Sequence, residues 1–220
     1  MTPGPSPPES DGGLSRPWLR SYPPSVPPTL EVPNEFLTDA LDRSVQRWPD
    51  RTALIYYGAR WSYRALGRAV DRWAAGLLRL GIHSHDRIAL YLPNCPAYPI
   101  AFFGSLRAGA TVVQVSPLYL GDDLARILDD ADPRAVVTLG ALAPHLVPLL
   151  PTRPSIRVIW AGVREFYPLW LRPFVNLVLR RQGLPTGAPR GPAFVRWRDV
   201  ASAPGTPPRL TGDPAREVAV

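Results

Sequence analysis

Three histidines and one cysteine are the side chains best suited to metal binding or nucleophilic chemistry in this 220-residue chain. His83 and His85 stand two residues apart in a short polar loop, a spacing that allows a surface metal site, but no further ligand accompanies them. A plain solvent loop is the better interpretation of this pair. His145 stands alone in an apolar stretch, where we interpret it as structural or as exposed at a kink. Cys95 lacks a second cysteine for a disulfide, which agrees with a reducing compartment and favours a small buried residue.

No complete catalytic motif occurs in the sequence. A G-x-G-x-x-G fingerprint, an H-E-x-x-H pair and paired cysteines are all missing, and no nucleophile is paired with a base. All 25 basic residues are arginine, so this segment supplies neither a Walker lysine nor a Schiff-base lysine. We therefore assign no catalytic, cofactor-binding or metal-binding residue to it.

The elements that would position such chemistry alternate regularly between strands and helices. Short apolar runs predict strands over 87–92, 111–115, 135–139 and 156–160. Helical patterns lie between them over 97–108, 122–130 and, interrupted by prolines, 141–150. This βαβ order predicts an α/β fold with a mostly parallel sheet of at least four strands, flanked by helices.

A helix, a hairpin and a second helix are predicted before the sheet. Asn34 is a suitable cap for the first helix, which Pro49 ends. Two β-prone runs around Gly58 predict the hairpin. Ser62 is the expected N-cap of the second helix, and Gly81 supplies its stop.

Composition divides the chain into four parts. Residues 1–33 contain ten prolines and predict a disordered leader. Residues 34–182 form the α/β subdomain, and the Pro/Gly-rich residues 183–215 are expected to be a linking loop. Residues 216–220 begin an apolar strand, so we expect the fold to be incomplete at the carboxyl terminus.

Residues 166–181 combine aromatic and aliphatic side chains with arginines. The stretch is too short and too charged to span a bilayer. Either an interfacial helix at a membrane surface or a helix packed on the flank of the sheet fits this pattern. The net charge of +7 comes from scattered arginines, which favours a solvated basic surface over nucleic-acid binding.

The order of these motifs resembles the N-terminal subdomain of the acyl-adenylate-forming (AMP-binding) enzymes, most closely the long-chain fatty acid:CoA ligases. The resemblance extends from about Glu35 to the end and is carried by Trp61-Ser62-Tyr63-Arg64-Ala65-Leu66, Leu92-Pro93-Asn94, Ala108-Gly109-Ala110 and Ser116-Pro117-Leu118-Tyr119. Ala65 replaces the usual Glu, and Ser116 stands where Asn is common. Residues 166–181 resemble an aromatic insertion of the long-chain ligases, and Glu217-Val218-Ala219-Val220 resembles their strand before the phosphate loop.

The N-terminus shows no signal peptide, so we expect a cytoplasmic protein, with residues 166–181 as its candidate contact with a membrane. The resemblance implies an enzyme of fatty acid and lipid metabolism. Such ligases use ATP, Mg²⁺ and CoA to convert a fatty acid to its thioester, and their phosphate loop and lysine would follow Val220. We therefore expect this segment alone to be inactive and to bind none of these cofactors. An adenylating enzyme for another acid, or a non-catalytic membrane or interaction module, remains an alternative. The oligomeric state stays open, a homodimer included.

Overall fold

The computed structural model describes residues 16–30, 33–168, 170–183, 187, 189–205, 207, 210–211 and 213–214. Contacts divide the chain into two units, Met1–Asn34 and Glu35–Val220. The first unit contains a 3₁₀ turn at Pro17–Ser21, with Trp18 exposed. Residues 1–15 and 31–32 of the expected leader lie outside the described residues, so its disorder stays a prediction.

The second unit begins with helix α1 (Leu37–Arg47) and an antiparallel hairpin of β1 (Thr52–Tyr56) and β2 (Ala59–Ser62). Tyr57 and Gly58 turn this hairpin at φ values of 46° and 83°. Two left-handed residues in succession are typical of the type I′ turn, which suits the twist of paired strands. The hairpin predicted around Gly58 is therefore confirmed.

Side-chain caps fix where the first two helices begin. α2 (Tyr63–Arg79) follows β2 directly, and the Ser62 hydroxyl accepts the Ala65 N–H at 3.2 Å, which confirms Ser62 as the predicted N-cap. α1 begins later than predicted, because the Asp39 carboxylate accepts the N–H of Phe36 at 3.0 Å and Phe36 is the N-cap.

In the described part of the chain, five strands form the central sheet. They are β3 (Arg87–Tyr91), β4 (Thr111–Val115), β5 (Ala135–Leu139), β6 (Arg157–Ala161) and β7 (Phe194–Arg196). Their order is β4-β3-β5-β6-β7, and every neighbouring pair is parallel. This is the α/β architecture that the sequence predicts.

The remaining helices are α3 (Ala97–Arg107), α4 (Gly121–Ala131), α5 (Arg172–Arg181) and α6 (Trp197–Ala201). The stretch 141–150 forms two 3₁₀ turns, Ala143–His145 and Val147–Thr152, rather than one α-helix, because its prolines lack the N–H donors that a helix needs. Within the described residues no helix is long and apolar enough to cross a bilayer.

The expected linking loop over 183–215 contains a strand and a helix. β7 pairs with β6 over Phe194–Arg196, and α6 follows at once. Trp197 and Val200 of α6 are only 5% and 1% exposed. Residues 194–201 therefore belong to the folded body, whereas the strand expected over 216–220 lies outside the described residues.

Both faces of the sheet are covered by apolar residues. Ile88 and Leu90 of β3 point into a core shared with α2, α3 and α6, whereas Ala89 and Tyr91 point into a second core with α4. This alternation follows from the two-residue period of a strand. The central strands consequently consist of nearly continuous apolar residues, as is typical of parallel sheets buried on both sides.

Two close contacts hold the helices of the larger core together. The Arg107 guanidinium of α3 binds Asp42 of α1 and Asp71 of α2, and its side chain is 11% exposed. Gly76 of α2 lies against the backbone of α6, where a Cβ would be 2.8 Å from the carbonyl carbon of Val200. Only glycine therefore allows α2 and α6 to approach this closely.

Candidate functional site

The carboxyl ends of the five parallel strands lie along one edge of the sheet, which is where open α/β sheets bind ligands. The chain passes from β3 outward to β4 and then returns to the other side of β3 as β5. The strand order therefore reverses between β3 and β5, and the expected ligand crevice opens beside Leu92 and Gly140, which follow these strands. We call this side of the sheet, with the connections that follow each strand, the carboxyl edge.

The connection from β3 to α3 contains the cysteine of the chain. Cys95 is buried, and burial raises the pKa of its thiol, an effect that the N–H groups of Ala97 and Tyr98 only partly oppose. A thiol with a raised pKa carries little thiolate at neutral pH and is a poor nucleophile. The interpretation of Cys95 as a small buried residue is confirmed.

A buried tyrosine holds the connection that follows β4. The Tyr91 hydroxyl lies 2.9 Å from the carbonyl oxygen of Tyr119 and 3.3 Å from that of Pro117, so it can donate to either. Burial raises the pKa of Tyr91, which keeps this hydroxyl protonated. Leu118, between the two carbonyls, is 86% exposed. The segment is thus anchored by its backbone and presents an apolar side chain to solvent.

Three tyrosines join the hairpin to the connection after β6. The rings of Tyr57 and Tyr167 stack with centroids 4.7 Å apart, and Tyr56 packs edge-on against Tyr167 at 5.3 Å. Burial, followed by a hydrogen bond with the Tyr56 hydroxyl, raises the pKa of Tyr167 well above its ordinary value. Tyr167 therefore remains neutral across the physiological range, and the three rings act as a packed aromatic contact.

A cavity of about 290 Å³ lies at the carboxyl ends of β6 and β7. It is lined by Trp160, Gly162, Arg164, Glu165, Arg180, Arg196 and Arg198. We call it the arginine cavity. Its arginines come from the turn after β6, from α5, from the end of β7 and from α6.

Glu165 provides the carboxylate of this cavity. Its Oε1 accepts the N–H of Gly162 at 3.0 Å, which caps the 3₁₀ turn Val163–Phe166. Burial raises the pKa of Glu165, although the Gly162 N–H and the guanidinium groups of Arg198, Arg164 and Arg172 counter the rise. The carboxylate is therefore fixed by the backbone rather than by a close ion pair.

Residues 41–170 match the sequence pattern of a family described as AMP-binding enzyme. The match covers more than half of the chain and runs from α1 to the segment before α5. The chain belongs to the AMP-binding enzyme family. Its resemblance to acyl-adenylate-forming enzymes is thus confirmed, and the four scaffold motifs between Trp61 and Tyr119 lie inside the matched residues.

Similar proteins within the AMP-binding enzymes include several CoA ligases. The chain is 34% identical over 153 residues to a long-chain-fatty-acid–CoA ligase of Bacillus subtilis, a match covering 70% of this chain and 27% of that protein. It is 31% identical over 187 residues to a ligase of the same name from Haemophilus influenzae, covering 84% and 33%. The matched region therefore spans a third or less of these curated relatives.

Solved structures show the same fold. A Rhodopseudomonas palustris protein assigned as a long-chain-fatty-acid CoA ligase superposes with a TM-score of 0.62 at 25% identity, covering 79% of this chain and 37% of that one. A benzoate CoA ligase from Burkholderia xenovorans superposes with a TM-score of 0.55 at 26% identity, covering 74% and 32%. The α/β fold of the AMP-binding enzymes is thereby established for this chain.

The histidines of this AMP-binding enzyme lie in two places, His83 and His85 before β3 and His145 in the connection that follows β5. His83 and His85 are exposed in the turn before β3, where the His83 N–H donates to Asp86 at 2.8 Å. His145 is exposed beside Pro144. In the part of the chain that the structure describes, no three His, Cys, Asp or Glu residues cluster to hold a metal ion. That no residue here is catalytic stays a prediction.

Sequence reasoning missed the arginine cavity. Its lining residues are spread from 160 to 198 and come together only through the pairing of β6 with β7. One signal was present in the sequence, because no Asp or Glu occurs between Glu165 and Asp199.

Proposed function

We propose that the protein is an ATP-dependent acid:thiol ligase that activates long-chain fatty acids. The observation that carries this proposal is the 31–37% identity of the matched region to relatives named long-chain-fatty-acid–CoA ligase. In this reaction the fatty acid carboxylate attacks the α-phosphate of ATP and pyrophosphate leaves. The CoA thiol then attacks the acyl carbon and AMP leaves, which yields the thioester.

This region would contribute the scaffold of such an enzyme. The carboxyl edge beside Leu92 and Gly140 is where a sheet with this strand order is expected to bind a ligand, and the Tyr91 hydroxyl holds the connection after β4 at that edge. ATP, Mg²⁺ and CoA are the co-reactants that the proposal requires. Since the described residues hold no cluster of carboxylates for Mg²⁺, we assign no ligand to the ion.

Release of pyrophosphate with a panel of acids tests the reaction and its substrate. The assay supplies ATP, Mg²⁺ and CoA with palmitate, octanoate, acetate or benzoate, and omission of the acid is the control. We expect release with palmitate to exceed release with acetate or benzoate by about tenfold or more, since each tenfold preference needs only about 1.4 kcal/mol of differential binding. Activity with short or aromatic acids alone would refute the long-chain substrate and leave an adenylating enzyme for another acid.

The 220 residues by themselves are expected to show no ATP turnover. They contain no lysine, and the sequence offers no nucleophile paired with a base. The pyrophosphate assay therefore compares the 220-residue chain with the longest product that its coding frame encodes. Turnover by the shorter chain would contradict this expectation.

We further propose that the enzyme acts in the cytoplasm.

A second role, contact with a membrane surface, is favoured by the exposed apolar side of the segment around α5. Trp170 and Phe174 are 68% and 62% exposed, and Leu177 and Val178 are about half exposed. Arg181 ends the helix beside them. Apolar side chains flanked by arginine fit the headgroup zone of an anionic bilayer.

Sedimentation with vesicles of phosphatidylcholine and phosphatidylglycerol tests this contact. We expect Trp170→Ser with Phe174→Ser to reduce the bound fraction several-fold, because two aromatic anchors are lost. Leu118→Ser, which removes an 86% exposed side chain elsewhere, is the matched control. Arg172 is left intact because it donates to the carbonyl oxygens of Tyr167 and Glu165. Equal binding by all three proteins would exclude this role for α5.

A further inference from the structure

The charge of the chain is unusually one-sided in the stretch that surrounds the arginine cavity. Six arginines and no acidic residue occur between Glu165 and Asp199. Elsewhere, arginines such as Arg64, Arg126 and Arg153 are paired with carboxylates. The excess positive charge of this stretch therefore has little local compensation.

The fold concentrates part of this charge around one concave site. Arg164, Arg180, Arg196 and Arg198 line the arginine cavity together with the Glu165 carboxylate, which leaves an excess of three positive charges. The side chains come from four separate elements, so the site is assembled by tertiary structure and not by a local run of sequence.

Most of these guanidinium groups have no carboxylate partner among the residues that the structure describes. Arg164, Arg180 and Arg196 form no ion pair there, and Arg198 lies 3.7 Å from an Asp199 carboxylate that is itself largely exposed. The Glu165 Oε1 is engaged by the Gly162 N–H. The N–H donors of the arginines are consequently available to an external anion.

Guanidinium chemistry selects the kind of anion. The planar fork of arginine N–H groups matches the oxygens of a phosphate and can bind them in a bidentate manner. The cavity volume of about 290 Å³ equals that of roughly ten water molecules in the liquid, so a diphosphate fits inside. Half-buried Trp160 forms an apolar part of the wall.

We propose that the arginine cavity is a binding site for a phosphate-bearing ligand, with Arg180 and Arg196 as its main contacts. The described lining residues of the cavity come from β6, the turn after it, α5, β7 and α6 rather than from β3, β5 or the connections that follow them, and the proposal does not depend on the ligase activity. A soluble phosphate ester or diphosphate and the headgroup of an anionic lipid share the chemistry that the cavity recognises.

Isothermal titration of the protein with pyrophosphate at low salt tests the site. We expect binding that weakens by about tenfold or more in Arg180→Gln with Arg196→Gln, since two charge-assisted contacts are lost. Arg126→Gln is the matched control, because it removes an exposed arginine distant in sequence. Far-UV circular dichroism of each variant verifies that the fold is retained.

A second variant, which removes a negative charge, distinguishes binding at a specific site from a general effect of losing positive charge. Glu165→Gln removes the negative charge of the cavity while its amide oxygen can still accept the Gly162 N–H. We expect this change to strengthen pyrophosphate binding by about two- to fivefold through reduced repulsion. A weakening in this variant, or an equal weakening in Arg126→Gln, would overturn the proposal.

Sedimentation with phosphatidylcholine vesicles containing phosphatidic acid identifies the source of the phosphate. Pyrophosphate binding without vesicle binding supports a soluble ligand. Vesicle binding that depends on Arg180 and Arg196, without pyrophosphate binding, supports a lipid headgroup. Absence of both would overturn the proposal.

Discussion

Replacing Gly76 with alanine should push α6 away from α2. The added Cβ would overlap the carbonyl oxygen of Val200 and lie 2.7 Å from its Cγ1 and 2.8 Å from its carbonyl carbon. Because part of this obstacle is backbone, rotation of one side chain cannot relieve it. The docking of α6, with Trp197 stacked on Trp73 at 4.0 Å, must therefore be strained or lost.

The expected loss of stability follows from two opposing effects. Overpacking against backbone costs about 3 kcal/mol, the upper end of the range for core overpacking. Alanine recovers about 1 kcal/mol because it is the better helix former. We therefore expect Gly76→Ala to lower the free energy of unfolding by about 2 kcal/mol, or the melting temperature by about 4–8 °C.

Urea unfolding followed by tryptophan fluorescence measures this change, and Gly67→Ala in the same helix is the matched control. A Cβ at position 67 lies 3.0 Å from Cγ2 of Val45, a side chain that can move. Since the gain in helix propensity at position 67 is similar, we expect the free energy of unfolding to change by no more than about 1 kcal/mol. Equal stability of the two variants would refute the close approach of α2 and α6.

Two further changes test the ion pair and the tyrosine cluster. Arg107→Met should lower the free energy of unfolding in urea by about 2 kcal/mol, which is less than the ~3–5 kcal/mol of a fully buried pair because both carboxylates are partly hydrated. The control Arg126→Met, at an exposed ion pair, should lower it by less than about 0.5 kcal/mol. Equal effects of the two variants would contradict this account. The pKa of Tyr167 is raised in the folded state above its ordinary 10.0, so its contribution to stability is present below that pH and is lost as pH rises further. Tyr167→Phe should flatten the decline of unfolding free energy above pH 10, and identical pH slopes in the variant and the unmodified protein would exclude this role.

The sequence predicts those elements whose signal is local. β3 and β5 are buried on both faces, so each is a nearly continuous apolar run that can be recognised without knowledge of its partners. The sequence signal that ends α3 is equally local. Gly109 adopts φ +83°, the left-handed conformation that the Ala-Gly-Ala turn predicts at the end of a helix.

Features that depend on distant partners could not be predicted in this way. β7 has only three residues and lies in a stretch rich in proline and glycine, so its pairing with β6 comes from tertiary structure. The hydrogen bonds of Tyr91 to the connection after β4 involve carbonyl oxygens, which carry no sequence signature. The membrane contact of residues 166–181, the disorder of the leader and the strand expected over 216–220 stay predictions.

The way in which β7 joins the sheet also affects its dynamics. Among the described residues β7 is an edge strand, and the connection that leads to it runs from residue 162 to residue 193 and contains α5, so pairing β7 with β6 closes a long segment of chain at a cost in entropy. β7 and α6 are therefore expected to dock late in folding and to open first in the native state, as a unit whose amide hydrogens exchange ahead of those of β3 and β5. Because Arg196 and Arg198 belong to this unit, a phosphate ligand would bind its closed form alone and slow its exchange. Ligand occupancy and the local folding of the sheet edge then become a single linked equilibrium.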